Sequence, residues 1–285
     1  MKLGISTYSL YQAFTANEMT VPDMINYAAS IGAEHIEIVP LGFDLSQDQQ
    51  LIADIKSRAL QCGVELSNYA IGANFADLDK QALELEIDRV KREVDIAAEL
   101  GIQRMRHDVA SSSDRSISNF LKQLPQLTYA CQQIADYAQR YGITTSVENH
   151  GYFVQHSDRV QTLVDQVNRE NFRTTLDIGN FLCVDEAVLS GVTNNLSLAS
   201  IVHVKDFYYR QASYLGGEGW FSTSHGNWLR GAIVGHGDID IVSVISFVKR
   251  AGYDGYITIE FEGMEPCKQG TKLGFDYIHK LWHSL

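Results

Sequence analysis

Eight short runs rich in Ile, Val and Thr alternate with longer helix-patterned stretches from one end of this chain to the other. The runs are Leu3 to Thr7, His35 to Val39, Val64 to Asn68, Arg104 to Asp108, Thr144 to Glu148, Thr174 to Asp177, Ile201 to Lys205 and Ile257 to Phe261. Glycines at 32, 63, 101, 142 and 255 sit between a helix end and the next strand, where a left-handed residue stops the helix. Parallel strands joined by right-handed helical crossovers have one highly populated closed arrangement at this count, the (β/α)8 or TIM barrel. An open doubly wound sheet is the rival, but no Gly-x-Gly-x-x-Gly fingerprint follows the first strand. The fold class is therefore α/β, as a single TIM-barrel domain over residues 1–285, a length within the range of one such barrel.

Helical periodicity is a separate signal. Leu124, just ahead of Pro125, and Leu127, Cys131, Ile134 and Ala138 after it fall on one face, and Ile241, Val244, Ile245 and Val248 do so before Gly252. Thr20, followed by Pro22 and Asp23, reads as a helix start, and so does Asp238 ahead of Ile241.

Strand alternation places Val147, Leu176, Val202, Val204, Ile259 and Phe261 toward the helices and leaves Glu148, Asp177, His203, Lys205, Glu260 and Glu262 inside. His35 and Glu37 point inward on the second strand by the same parity. Glu148, Asp177, His203 and Glu260 close four strands of one parallel sheet, so they converge at the end of the barrel where active sites lie. Three carboxylates and an imidazole form a hard, oxygen-rich donor set for one divalent metal ion. Mn2+ is the expected ion, with Mg2+, Co2+ and Zn2+ compatible. A carbonyl and a neighbouring hydroxyl of a sugar would fill the open positions. The metal would then stabilise the enediolate left by proton abstraction next to the carbonyl. Glu148 and Glu260 are the candidate catalytic pair: two carboxylates working from opposite faces epimerise, and one carboxylate handling both transfers isomerises.

Composition narrows the partners. Lys and Arg total 23 against 35 Asp and Glu, a net charge of -12 with no basic cluster, which repels a phosphate backbone and argues against nucleic acid. Hydrophobic residues make up 45% of the chain and charged ones 20%, with no run long enough to span a membrane. The start Met-Lys-Leu-Gly-Ile-Ser-Thr reads as a strand rather than a secretory leader, so cytoplasmic residence is expected. Cys62, Cys131, Cys183 and Cys267 have neither disulfide-frame nor zinc-ribbon spacing. The expected partner is a small carbohydrate, with a homo-oligomer compatible.

From about 207 to 234 no helix pattern appears, and Tyr208, Tyr209, Tyr214, Trp220, Phe221 and Trp228 are interleaved with glycines. This long connection is a candidate lid over a polar substrate, or an insertion packing on a neighbouring subunit. Candidate substrate contacts are Glu37, His107, Asn180, Lys205, Arg210 and Trp220. Arg106 and His107 have opposite parity, so only one of them faces the pocket. The Ser111, Ser112, Ser113 and Arg115 stretch is compatible with an anion site or with a polar turn.

The pieces Glu148-Asn149, Leu176-Asp177-Ile178-Gly179-Asn180, His203-Val204-Lys205-Asp206, Gly235-His236-Gly237-Asp238-Ile239-Asp240 and Ile259-Glu260 resemble the xylose isomerase-like barrel superfamily, in its sugar phosphate isomerase/epimerase branch. The resemblance covers essentially the whole chain. It implies Glu148, Asp177, His203 and Glu260 as metal ligands, Glu148 with Glu260 as acid/base pair, and a ketose epimerase or aldose-ketose isomerase activity. Asn180 stands where ketose 3-epimerases of this group have a histidine, Val154 where they have a second glutamate, and Tyr209, next to Arg210, where they have an arginine. The superfamily also holds inosose- and dehydroshikimate-type dehydratases, which share the opening step and then expel a hydroxyl, and abasic-site endonucleases, which the charge disfavours. A non-catalytic sugar-binding barrel is the remaining alternative.

Overall fold

The Ile/Val/Thr-rich runs pair in parallel around a closed ring, in a computed structural model that describes residues 1–285. Seven strands come first: β1 (Lys2–Ser6), β2 (His35–Ile38), β3 (Glu65–Ile71), β4 (Arg104–His107), β5 (Thr144–Glu148), β6 (Phe172–Asp177) and β7 (Ala199–Val204). An excursion holding β8 (Asp206–Arg210), β9 (Phe221–Ser222) and β10 (Trp228–Ala232) precedes β11 (Tyr256–Ile259), which closes the ring between β7 and β1. The expected (β/α)8 barrel is the observed fold.

Helices coat the ring. After a short α1 (Tyr11–Thr15) these are α2 (Val21–Ser30), α3 (Gln49–Cys62), α4 (Lys80–Leu100), α5 (Ile117–Ala138), α6 (Ser157–Val167), α7 (Val188–Asn195), α8 (Ile241–Arg250) and α9 (Cys267–Ser284). Thr20 and Asp23 form a reciprocal capping box at the start of α2, as the sequence suggests. Gly63, Gly101 and Gly142 end their helical segments in the left-handed region, at φ of 66°, 77° and 67°. Two helix starts differ from the sequence expectation. α5 begins at Ile117 and runs through Pro125, an interior position where the ring removes one backbone hydrogen bond of the helix. The cap of α8 is Asp240, which accepts from Ser243 N; Asp238 instead accepts from Tyr209 N and Arg210. None of the helices is long and apolar enough to cross a membrane.

The alternation holds as read. Val147, Leu176, Val202, Val204, Ile259 and Phe261 are buried under the helices, and this layer carries the main apolar core. Polar groups in the lumen are bonded to one another: His35 Nδ1 stands 2.8 Å from Ser67 Oγ and its Nε2 3.0 Å from the Ile257 carbonyl, and Ser146 Oγ meets Thr175 Oγ1 at 2.8 Å. Gly4 makes room for that imidazole, since a Cβ there would lie 2.6 Å from the His35 ring.

The excursion is a small antiparallel sheet in the order β8-β10-β9, not an irregular loop. Asp206 fastens its base. The buried Asp206 carboxylate accepts from Phe207 N, Gly235 N, Gly237 N and Ile239 N, gathering the turn that leads into α8. Gly237 is required there, because a Cβ would sit 2.1 Å from Asp206 Oδ1.

Two histidines fold as neutral groups. Burial pushes both His35 and His107 down to about 4; His107 packs edge-on to Phe75 at 5.8 Å with its Nε2 unpartnered. Between pH 6.5 and about 4 the unfolded chain binds these protons and the folded chain does not. Stability therefore falls as pH drops through that window, by roughly 3 kcal/mol at most per histidine. Denaturant melts of His107→Phe should show a shallower acid slope than the native chain; equal slopes would rule out this source.

Candidate metal centre

Four strands deliver one group each to the carboxyl end of the barrel: Glu148 from β5, Asp177 from β6, His203 from β7 and Glu260 just past β11. One ligand-type atom from each lies within 4.8 Å of the others, and all four residues are buried. Their hydrogen bonds leave particular atoms free. Gly179 N and Asn180 N donate to Asp177 Oδ1 at 2.7 and 3.0 Å, while Oδ2 has no hydrogen-bond partner. Asn149 grips the Asp177 backbone from both sides, accepting its N–H and donating to its carbonyl. His203 Nε2 lies 2.9 Å from Glu37 Oε2, and its Nδ1 is unpartnered, 3.4 Å from Glu260 Oε1. Asn180 Nδ2 donates to Glu148 Oε1 at 3.1 Å; Glu148 Oε2 approaches Arg106 Nε at 2.8 Å without hydrogen-bond alignment.

The electrostatics match this inventory. Burial raises the Asp177 carboxyl to about 6, with Glu148 and Glu260 adding to the shift against Lys205. Burial opposes charge on His203, but Glu37 and Glu260 outweigh it and push the imidazole up to about 10. A buried cluster with this excess of negative charge calls for positive charge. An oxygen-rich set with free atoms on Asp177, His203 and Glu148 fits a divalent cation, with Glu37 fixing the His203 ring as outer partners of metal-binding histidines do.

Lys205 supplies part of the counter-charge. Its ammonium lies 3.0 Å from Glu260 Oε2, 3.0 Å from Glu262 Oε2 and 3.4 Å from Asp177 Oδ2, and these carboxylates hold it protonated against the penalty of burial. Gly179 allows its chain to pass close by, since a Cβ there would lie 3.0 Å from the Lys205 carbonyl.

Above the four groups opens a cavity of about 340 Å³. Arg106, Glu148, Asn180, Lys205, Glu260 and Glu262 line its polar side, and Val39, Leu41, Phe207 and Phe221 its apolar side. Of the six residues read as substrate contacts, Asn180 and Lys205 line it and four do not. Glu37 is fully buried behind His203, with Asn68 Nδ2 donating to it at 2.7 Å. His107 points into the outer layer, and Arg106 takes the inward place. Arg210 pairs with Asp238 at 2.9 Å and Trp220 packs on Tyr214 within the excursion, away from the cavity. Ser112 is occupied by Asp77 and Asn119, as in a polar turn.

Sequence reading did not single out Tyr8, Asp108, His150, Tyr152, Gln155 or Cys183 as wall residues; all of them line the cavity. Tyr8 lies just beyond β1 and its hydroxyl donates to Glu262 at 3.3 Å. His150 lies just beyond β5, 3.5 Å from Asp108. For Tyr8, Asp108 and His150, a position one or two residues past a strand was the available signal.

Closed barrel, strand-end cluster and lined cavity together define the class. The model of the xylose isomerase-like TIM barrel matches residues 25–281, and the chain belongs to that family. No curated protein sequence matches it. Among solved structures it resembles the IolI protein with a bound zinc atom (TM-score 0.79, 15% identity, 100% of this chain and 99% of the other). It also resembles the probable 3-DHS dehydratase AsbF from Bacillus anthracis (0.76, 16%, 98% and 99%) and D-psicose 3-epimerase with D-tagatose from Clostridium cellulolyticum H10 (0.75, 15%, 99% and 99%). At these identities the likeness is one of fold.

Removing the Glu37 carboxylate tests the ring-fixing role. Glu37→Gln should weaken divalent-ion binding about 10- to 100-fold by calorimetry, with the far-UV spectrum unchanged. Native affinity in that variant would show that His203 needs no partner.

Proposed function

We propose that this protein is a divalent-metal-dependent isomerase or epimerase of a monosaccharide-sized ketose or related polyol ketone. The supporting observation is the pairing of Glu148 and Glu260 in one cavity. In the ring, β6 and β7 separate the strands that carry them, so the two carboxylates reach a substrate from different sides. Glu148, Asp177, His203 and Glu260 would hold the ion, Mn2+ being the expected one. Bound there, it would polarise a carbonyl and acidify the adjacent C–H.

The chain's own groups do the rest. One glutamate removes the proton and the other returns it on the opposite face, or one does both on the same face. Arg106 and Asn180 hold the Glu148 carboxylate in a fixed orientation. Lys205, caged by Asp177, Glu260 and Glu262, keeps the Glu260 carboxylate ionised and in place. Phe207, Phe221 and Leu41 keep water from the reacting carbon.

The wall also speaks for an uncharged substrate. Arg106 is paired with Glu148 and Asp108, and Lys205 with Asp177, Glu260 and Glu262, so neither cation is free to receive a phosphate.

NMR in D2O separates these outcomes. Incubation of the Mn2+-loaded protein with ketoses, ketose phosphates and inosose should put deuterium on the carbon beside the carbonyl of an unphosphorylated substrate. Chelation should abolish exchange, and Glu148→Gln or Glu260→Gln should slow it by about 10²- to 10⁴-fold. Loss of water without exchange-only product would favour dehydration, and no turnover of any kind would remove the enzyme reading.

A further inference from the structure

The opposite end of the barrel holds a second, differently built cavity, of about 550 Å³. Arg104 opens β4 on the same inward row as Arg106, and Arg173, the second residue of β6, lies on the row that ends at Asp177. Arg104 and Arg173 both line this cavity, together with Thr144, Ser197, Tyr253 and Asp254. Neither arginine has a carboxylate partner. Arg104 donates to the Ser200 carbonyl at 3.3 Å and lies 4.7 Å over the Tyr256 ring, and Arg173 donates to the Ser197 carbonyl at 2.6 Å. Each guanidinium carries five N–H donors, so most of them remain open. In a chain with a net charge of -12, two half-buried arginines facing one cavity without acids to pair them are a local reversal of sign.

We propose that this cavity binds a phosphate group, as inorganic phosphate or a phosphate monoester, between Arg104 and Arg173. Two guanidiniums offer fork-shaped donor pairs and two charges, which suit a tetrahedral dianion better than a single carboxylate. Thr144 and Ser197 place hydroxyls on the same wall. Asp254, exposed at the rim, is the one acid there and opposes binding. The cavity is edged by the first residues of β4, β5 and β7, the second residue of β6, and Gly255 ahead of β11. An occupant would thus tie together the far ends of the strands that carry Glu148, Asp177, His203 and Glu260.

Calorimetric titration of the metal-loaded protein with inorganic phosphate and with glycerol 3-phosphate, against chloride at matched ionic strength, tests this. Saturable binding is expected for phosphate and not for chloride, tighter for the monoester if that is the natural occupant and tighter for the free ion if it is not. Arg104→Gln and Arg173→Gln should each weaken it about tenfold or more, and Asp254→Asn, a surface change that leaves the fold alone, should strengthen it a few-fold. Arg106→Gln, in the other cavity, should leave it unchanged. No saturable binding tighter than about 1 mM, indifference to Asp254→Asn, or loss of binding in Arg106→Gln alone would overturn the proposal.

Discussion

Three carboxylates sharing one buried space with an imidazole repel one another and lose hydration, and the rest of the carboxyl end of the barrel is arranged around that cost. Lys205 sits among Asp177, Glu260 and Glu262, Arg106 stands against Glu148, and Glu37 takes the far side of His203. These partners do not exhaust the donor atoms. Asp177 Oδ2, Glu148 Oε2 and His203 Nδ1 remain without hydrogen bonds, and a divalent cation is what such a set would satisfy.

The barrel makes this concentration possible because its rigidity lies elsewhere. The apolar layer between ring and helices carries the packing, so the lumen is free to hold polar residues in hydrogen-bonded pairs such as His35–Ser67 and Ser146–Thr175. The excursion after β7 adds a wall rather than a loose flap. Asp206 anchors its root, Tyr152 donates to the Ser222 carbonyl, and Ser224 N donates to Cys183, tying the small sheet to the loops after β5 and β6.

Much of this was legible in the sequence, for a physical reason: period-two alternation assigns every strand residue to one face, so Glu148, Asp177, His203 and Glu260 were bound to share the lumen once the strands were parallel. Partners across the lumen were not legible. Glu37 reads as inward-facing, but its contact with His203 depends on barrel closure between residues far apart in the chain. Arg106 and His107 could not be separated, because β4 ends within a residue of both. The β8–β10 pairing was hidden for a related reason, since Gly231 is a poor strand former and lies opposite Phe207 only through a long-range register.

The proposed function requires that Glu148, Asp177, His203 and Glu260 together hold one divalent ion. A crystal of the protein soaked in Mn2+ and measured at the manganese absorption edge tests it most directly. A single strong anomalous peak is expected within bonding distance of Glu148, Asp177, His203 Nδ1 and Glu260, about 2.0 to 2.3 Å from each donor atom. A featureless map at that position, or a peak on other residues, would contradict it.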